Sequence, residues 1–317
     1  MKRYRNGQVS SAGPMVWGIG VFDGVHRGHQ ALFQVVCELA AATGADPGVL
    51  TFEPHPLEVL QGARVPRLTT LDEKLELLEG LGVREAWVVA FDDAFAALPA
   101  EAFLEEYLAK HSLTRGAVVG FDFTFGKDAT GEADSFKEWT GQHGIRGIVV
   151  PAVKSGSLKI GSSTIRELLS TGDTTQANAL LGRPFFVTGP VVKGEGRGKD
   201  IGFPTVNLAL PAEKIIPMNG VYVVAVRFHD SPSGAGYRGV CNIGFRPTFE
   251  TESRADRRPT LEVFIDGLSG DLYSRILRVE FLKFLRRERK FDTIDLLREQ
   301  IGKDVEEMKQ IEYSEAN

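Results

Sequence analysis

The sequence predicts an α/β domain with a doubly wound parallel sheet, followed by a small antiparallel β-barrel with a C-terminal helix. Three observations lead to this prediction. The chain has 317 residues, more than one hydrophobic core usually serves. Its first part alternates continuous apolar runs with amphipathic segments, which is typical of a parallel sheet covered by helices on both faces. Its second part consists of strand-like runs separated by Gly and Pro, and we predict domains over residues 1–183 and 184–317.

The elements of the first domain follow from their hydrophobic period. Short continuous apolar runs predict strands at MVWGIGVF (15–22), GVLTF (48–52), REAWVVAF (84–91), GAVVGF (116–121) and RGIVVPAV (146–153). Segments with the helical period predict helices over 29–44, 71–80, 99–111 and 162–172. Strands and helices therefore alternate as they do in βαβ units.

The second domain has a different pattern. Strand-like runs occur at PFFVTGPVV (184–192), GVYVVAVRFH (220–229), YRGVCNIG (237–244), TLEVFIDG (260–267) and ILRVEFLKFL (276–285). The segment Asp230–Gly236 predicts a hairpin tip between two of them. Residues 292–313 have the helical period, so the sequence predicts an antiparallel barrel with a terminal helix.

Composition and charge limit the classes of function. A formal net charge of -5 gives no general attraction to nucleic acid. No apolar stretch is long enough to span a bilayer, and no signal-peptide cleavage site follows the basic start. Cys37 and Cys241 match no metal-ligand spacing, so we expect reduced thiols and a cytoplasmic protein. The sequence predicts neither a nucleic-acid nor a membrane partner, and it indicates no oligomeric state.

The segment WGIGVFDGVHRGHQALF (17–33) contains the main candidate site of the first domain. It runs from the first predicted strand into the first helix, and open α/β sheets bind ligands at the carboxyl ends of their strands. The helix start favours an anion, and His26 and His29 project from its first turn to the same side. This context favours phosphate. For an isolated H-x-x-H, the preferred interpretation would be that one histidine caps the helix and the other is solvated. Metal binding is disfavoured, because no carboxylate or third histidine follows at ligand spacing.

Two motifs resemble the signatures of the nucleotidylyltransferase superfamily. The segment FDGVHRGHQ is similar to its H-x-G-H signature, with His26 and His29 in the signature positions. The segment GSSTIRELL (161–169) resembles the second signature, in which hydroxyls and a cation at a helix start bind phosphates. An ordinary helix cap is the alternative for this segment alone. The resemblance implies nucleotide contacts for Gly20, Phe22, Asp23, Ser162, Ser163 and Arg166.

Further motifs narrow the resemblance to one family. FEPHP (52–56), RLTTLDEKLELL (67–78) and GFDFTFG (120–126) resemble the FMN adenylyltransferase module of prokaryotic bifunctional riboflavin kinase/FAD synthetases. GRGKDIGFPTVNL (196–208) resembles the flavokinase G-F-P-T-A-N motif, and NIGFRPTF and LEVFIDGLSGDLY continue it. The chain departs from the family pattern at Gly161, Ser163, Lys199, Val206 and Ser274. We expect Gly161 and Ser163 to affect ATP affinity, and Ser274 to alter a turn.

The resemblance implies a Rossmann-like nucleotidylyltransferase domain and a flavokinase barrel, each using ATP and Mg²⁺. The barrel would phosphorylate riboflavin to FMN, and the first domain would adenylylate FMN to FAD with release of pyrophosphate. His26 and His29 would stabilise charge on the phosphates, with His55 and Asp122 near the flavin. In the barrel, the resemblance implies that Gly196 and Lys199 cover the ATP phosphates, that Thr205 and Asn207 hold Mg²⁺, and that Glu262 is the general base.

Other interpretations stay open on the sequence. Taken alone, Glu262 is a solvated carboxylate on a strand, and the glycine-rich loop is a mobile hairpin. A nucleotidylyltransferase for another phosphate-bearing substrate would have a non-catalytic β domain, which the joint presence of Thr205, Asn207 and Glu262 disfavours. A flavin sensor with decayed sites would bind flavin without turning over ATP.

Overall fold

The computed structural model describes residues 1–5, 13–110, 113–155, 158–194, 198, 201–230, 236–244, 259–268 and 270–311. The chain divides into two compact units, Met1–Thr164 and Ile165–Asn317. The first contains a parallel sheet with helices and the second a closed antiparallel barrel, so the predicted fold class is confirmed. The domain boundary expected between residues 183 and 184 stays a prediction.

A six-stranded parallel sheet forms the first unit. Its strands are β1 (Lys2–Arg5), β2 (Met15–Ile19), β3 (Asp46–Glu53), β4 (Glu85–Ala90), β5 (Thr114–Gly120) and β6 (Arg146–Val150). They lie in the order β1-β4-β3-β2-β5-β6. The chain runs outward from β2 to β3 and β4 and then returns to β5 on the other side of β2. The strand order therefore reverses beside β2, which is where such sheets bind ligands.

The helices of the first unit cover both faces of this sheet. They are α1 (Arg27–Thr43), α2 (Pro56–Gln61), α3 (Leu71–Gly80), α4 (Asp93–Ala96), α5 (Ala100–Leu104) and α6 (Ala133–Gln142). Helix α3 has the predicted bounds, whereas the helix predicted over 99–111 is divided into α5 and a π-helical turn, Glu105–Ala109. A short hairpin, β7 (Lys154–Ser155) and β8 (Leu158–Lys159), precedes α7 (Ser162–Thr171), which crosses the division between the units.

Two hydrophobic clusters fill the opposite faces of the sheet. Trp17 belongs to one cluster and Val16 to the other, because successive side chains of a strand point to opposite faces. Both residues are fully buried, as is Phe33 on α1. Packing is tight at the first strand pair, since a Cβ added to Gly48 would meet the Trp17 ring at 2.5 Å. Burial on both faces explains why these strands are continuous apolar runs.

The second unit is a six-stranded barrel. Its strands are β9 (Phe185–Val192), β10 (Thr205–Leu208), β11 (Gly220–Phe228), β12 (Tyr237–Gly244), β13 (Thr260–Ile265) and β14 (Ile276–Arg286). They close in the order β10-β13-β12-β11-β14-β9. Strand β10 was not predicted, because it lies inside the glycine-rich motif. Of the predicted tip at 230–236, residues 231–235 lie outside the described residues.

Helices and a serine turn complete the barrel unit. Helix α8 (Thr174–Leu181) precedes the barrel, and α9 (Ile294–Gln310) follows it as predicted. Ser274 has φ 64°, and its N–H donates to the Val191 carbonyl at 3.1 Å. The turn therefore has a left-handed residue with serine where the family usually has glycine, at a cost of about 1 kcal/mol.

Candidate active sites

A left-handed turn connects β2 to α1, and we call residues 20–26 the histidine turn. Strand β2 ends at Ile19, earlier than predicted, because the backbone leaves the extended region soon afterwards. Phe22, Gly24 and Val25 have φ of 53°, 83° and 42°. This region is unfavourable for a β-branched residue such as Val25, so surrounding contacts must stabilise the turn.

The two histidines stack at the start of α1. His26 is the N-cap, and its Nδ1 accepts a hydrogen bond from the His29 N–H at 3.3 Å. The ring centroids are 3.6 Å apart with an interplanar angle of 18°, and the Phe22 ring packs edge-on against His29. Because Nδ1 of His26 is an acceptor, neutral His26 carries its proton on Nε2. That nitrogen can donate to an oxyanion.

The second signature segment reaches the histidine turn through Ser162. The Ser162 hydroxyl donates to the Asp23 carbonyl at 2.9 Å, although the residues are far apart in sequence. The Asp23 carboxylate accepts hydrogen bonds from the N–H groups of Leu68 (3.1 Å) and Thr69 (3.0 Å). The structure thus brings the two signatures together. The expected nucleotide contact of Asp23 stays a prediction.

The remaining residues of the second signature lie on α7. Ser163 is in its first turn, and Arg166 follows Ser162 by four residues on the same side of the helix, beyond the division between the units. A Cβ added to Gly161 would meet no atom within 4 Å. Packing therefore does not require glycine at this departure from the family pattern.

The residues expected near the flavin follow the two strands that flank β2. His55 follows β3, is buried, and caps α2 by accepting a hydrogen bond from the Leu57 N–H at 3.2 Å. Asp122 follows β5, is exposed, and lies 3.9 Å from the Lys159 amine. His55, the histidine turn and Asp122 consequently share the carboxyl edge of the sheet, beside the reversal of strand order.

Lys74, on α3, contacts the histidine turn and β3 at the carboxyl edge of the sheet. It was not predicted from the sequence as a site residue. It is 5% exposed, and its amine donates to the Val21 carbonyl and the Thr51 hydroxyl, both at 3.0 Å. Burial lowers the pKa of Lys74 to about 8, although the charges of Asp23 and Glu53 oppose this shift. The only indication in the sequence that Lys74 belongs to the site was its place in the RLTTLDEKLELL motif. The helical pattern of α3 gave no such indication, because a lysine on a helix is expected to be solvated.

The expected kinase residues meet on two neighbouring strands of the barrel wall. Thr205 and Asn207 occupy alternate positions of β10, and Glu262 on β13 lies directly opposite Asn207. Glu262 is half-buried, so it is not the fully solvated carboxylate of the alternative interpretation. Asn242 on β12 is opposite Glu262 and extends this row, which the sequence did not reveal. The expected phosphate contacts Gly196 and Lys199 lie outside the described residues.

Comparison with known proteins identifies both units. A family model for FAD synthetase matches residues 9–164, and one for riboflavin kinase matches residues 181–312. A bifunctional riboflavin kinase/FMN adenylyltransferase of Bacillus subtilis (strain 168) is 39% identical over 295 residues, covering 92% of this chain and 90% of that protein. The chain belongs to the bifunctional riboflavin kinase/FMN adenylyltransferase family. The relative of the same name from Escherichia coli (strain K12) is 38% identical over 290 residues, covering 90% and 89%.

A solved structure extends the likeness to the whole fold. A protein from Streptococcus pneumoniae, described as a macrolide-efflux protein, superposes with a TM-score of 0.88 and 31% identity, covering 98% of this chain and 100% of that chain. In the described part of this chain, no helix has the length and apolar character needed to cross a membrane.

Membership of the riboflavin kinase/FMN adenylyltransferase family confirms several predictions. The chain is a transferase with riboflavin kinase and FMN adenylyltransferase activities, the adenylyltransferase preceding the kinase. These activities give ATP, riboflavin and FMN as its substrates.

The oxygen donors on β10 fit the Mg²⁺ that the family resemblance implies. The Thr205 hydroxyl and the Asn207 amide oxygen are hard ligands, and two protein ligands suffice where phosphates and water complete an octahedron. Two glycines, Gly194 and Gly198, lie close to these residues. A Cβ added to Gly194 would overlap the Asn207 amide, and one added to Gly198 would lie 3.1 Å from Thr205 Oγ1. At Gly194 the approach is so close that a side chain would displace the Asn207 amide.

Proposed function

We propose that the histidine turn performs adenylyl transfer to FMN and that the Thr205, Asn207 and Glu262 face performs phosphorylation of riboflavin. The observation that carries the first assignment is that the Ser162 hydroxyl donates to the Asp23 carbonyl, in the turn that leads to the stacked histidines at the carboxyl edge of the sheet. The observation that carries the second is the direct pairing of Asn207 with Glu262.

In adenylyl transfer, an FMN phosphate oxygen attacks the α-phosphorus of ATP. The bond from the α-phosphorus to the bridging oxygen breaks, and pyrophosphate leaves with that electron pair. The nucleophile is already anionic, so no strong base is needed. His26 Nε2 donates to a phosphate oxygen, His29 supplies a second imidazole beside it, and the N–H groups at the start of α7 favour the same negative charge. Ser162, Ser163 and Arg166 bind the nucleotide phosphates.

Gly20, Phe22, Asp23, His55 and Asp122 complete this site. The first three belong to the histidine turn, where backbone comes close to the nucleotide. His55 and Asp122 border the turn on its two sides, which supports placing the flavin along this edge. Adenylyl transfer depends mainly on alignment, because both reacting groups are phosphates with no covalent enzyme intermediate.

In the kinase reaction, Glu262 accepts the proton of the attacking riboflavin hydroxyl as that oxygen bonds to the γ-phosphorus of ATP. The bond from the γ-phosphorus to the bridging oxygen breaks, and ADP leaves with that electron pair. Thr205 and Asn207 would hold Mg²⁺, which would supply positive charge beside the ATP phosphates. Gly196 and Lys199 cover the ATP phosphates. The adjacency of Asn207 and Glu262 supports this arrangement, since the base must lie beside the residues that would hold the metal and the ATP phosphates.

We further propose Mg²⁺ dependence for both reactions and a cytoplasmic location. Cys37 and Cys241 are free thiols, which supports a reducing compartment. Burial raises the pKa of the Cys241 thiol, and the nearby charge of Glu262 adds to this effect. Cys241 is therefore a core thiol and has no part in either reaction.

Chromatography of the products tests the proposal. The protein is incubated with riboflavin, ATP and Mg²⁺, and a parallel reaction starts from FMN. FMN followed by FAD is expected, with neither product when EDTA replaces Mg²⁺. FAD from FMN but no FMN from riboflavin would contradict the kinase assignment, and FMN alone would contradict the adenylyltransferase assignment. Bound but unchanged flavin would instead favour a flavin sensor.

A further inference from the structure

Arg67 joins residues on either side of His55, one in the FEPHP segment and one on α2. Its guanidinium donates to both carboxylate oxygens of Glu53, at 2.7 and 2.9 Å, and to Glu58 Oε2 at 2.6 Å. Arg67 is 8% exposed. Burial would raise the pKa of Glu58, but hydrogen bonds from Arg67 and the Val65 N–H outweigh it and hold that pKa below its usual value. Paired, charge-assisted contacts of this kind fix geometry as well as adding energy.

Thr69 ties the same stretch of chain to the histidine turn. Its hydroxyl donates to Asp23 Oδ1 at 3.3 Å and accepts a hydrogen bond from the Gly24 N–H at 3.0 Å. Asp23 and Gly24 lie between the left-handed residues Phe22 and Val25. The hydroxyl thus contacts the centre of the turn, where an unfavourable backbone needs external support.

Lys74 completes the connection from the first turn of α3. Its amine joins the Val21 carbonyl, in the histidine turn, to Thr51 near the end of β3. A capping box between Thr70 and Glu73 fixes the start of α3, and with it the position of Lys74.

A small cavity marks where these contacts converge. Its volume is about 10 Å³, and its walls include Asp23, His55, Arg67 and Lys74. The residues that support the turn and those that support the FEPHP segment therefore meet at one point. Burying charged groups around such a cavity costs free energy of folding, so the stability of the fold alone does not explain their presence.

We propose that residues 67–74 form a brace that sets the separation between the histidine turn and the FEPHP segment, with Arg67, Thr69 and Lys74 as positioning residues for adenylyl transfer. The inference rests on the proposed function of the histidine turn. The reacting phosphates must approach within about 3 to 3.5 Å in line, and a displacement of about 1 Å can cost about 100-fold in rate. A brace between the two substrate-binding segments controls that distance without touching either substrate.

Two variants and one matched control test the brace. Lys74→Met removes the ammonium, and Arg67→Lys retains the charge but loses the planar fork. Arg84→Lys is the control, because Arg84 pairs with Asp46 at 2.7 Å on the exposed, opposite edge of the same sheet. We expect kcat for FAD formation from FMN to fall about 10- to 100-fold in both brace variants. The KM values for FMN and ATP should change far less, because both substrates still bind.

The kinase reaction of the same chain is the internal standard. FMN formation from riboflavin should stay at the wild-type rate in all three proteins, which excludes general misfolding. Folded Lys74→Met and Arg67→Lys proteins that form FAD as fast as Arg84→Lys would overturn the brace. A folded His29→Ala protein that forms FAD at the wild-type rate would refute the proposed function instead.

Thr69 supplies a milder test if the charged variants do not fold. Thr69→Ser keeps the hydroxyl, whereas Thr69→Val replaces it with a methyl group of similar size. The valine variant should lose FAD-forming kcat and the serine variant should retain it, with the kinase rate unchanged in both. Equal FAD-forming rates in the two variants would overturn the brace.

Discussion

Raising the pH should stabilise the first unit through Lys74. Burial lowers the pKa of this amine from 10.5 to about 8 in the folded chain. Between these values the unfolded chain binds more protons than the folded chain, so the free energy of unfolding rises with pH. Below pH 8 both states are protonated, and the folded state bears the full cost of burying the charge.

The size of the effect follows from the same two pKa values. A shift from 10.5 to about 8 corresponds to about 3 kcal/mol at about 1.4 kcal/mol per pKa unit. At pH 7 nearly all of this penalty is present, and at pH 9.5 about 1.4 kcal/mol remains. The contribution of Lys74 to the free energy of unfolding should therefore increase by about 2 kcal/mol between pH 7 and 9.5.

Tryptophan fluorescence can isolate this change, because all three tryptophans, Trp17, Trp87 and Trp139, are in the first unit. Urea unfolding is followed from pH 7 to 9.5 for the wild type and for Lys74→Met. The wild-type free energy minus that of the variant should rise by about 2 kcal/mol over this range. Lys137→Met, at an exposed lysine on α6, should give a flat difference. A flat or falling difference for Lys74→Met would refute the reasoning.

Three other outcomes are expected. Glu262→Gln should abolish FMN formation from riboflavin while FAD formation from FMN continues, and His29→Ala should do the reverse; a folded variant that loses both activities would contradict two separate sites. Gly194→Ala should lower the kinase rate at least tenfold, because its Cβ displaces the Asn207 amide, and should leave FAD formation from FMN unchanged. Ser274→Gly should raise the free energy of unfolding of the barrel unit by about 1 kcal/mol, since glycine adopts φ 64° without strain, and calorimetry showing no gain would contradict this.

Local patterns in the sequence determined the secondary structure and its order along the chain. Strands β2 to β6 of the parallel sheet were predictable because strands covered on both faces have continuous apolar runs, as at Trp17. Helix α3 has its predicted bounds because Thr70 and Glu73 form a capping box within a few residues. The common direction of His26 and His29 is likewise a property of one helical turn.

Tertiary structure alone decided which distant residues meet. Strand β1 is charged and has no apolar pattern, yet it pairs with β4 at the sheet edge, where one side stays open. Asn242 acquires its place beside Glu262 only through the barrel register. Arg67 and Lys74 are in a polar sequence, and their burial depends on carboxylates and carbonyls that the folded chain brings around them. Hydrophobic period reports which face of an element is buried, whereas the burial of a charge depends on its partners from elsewhere in the chain.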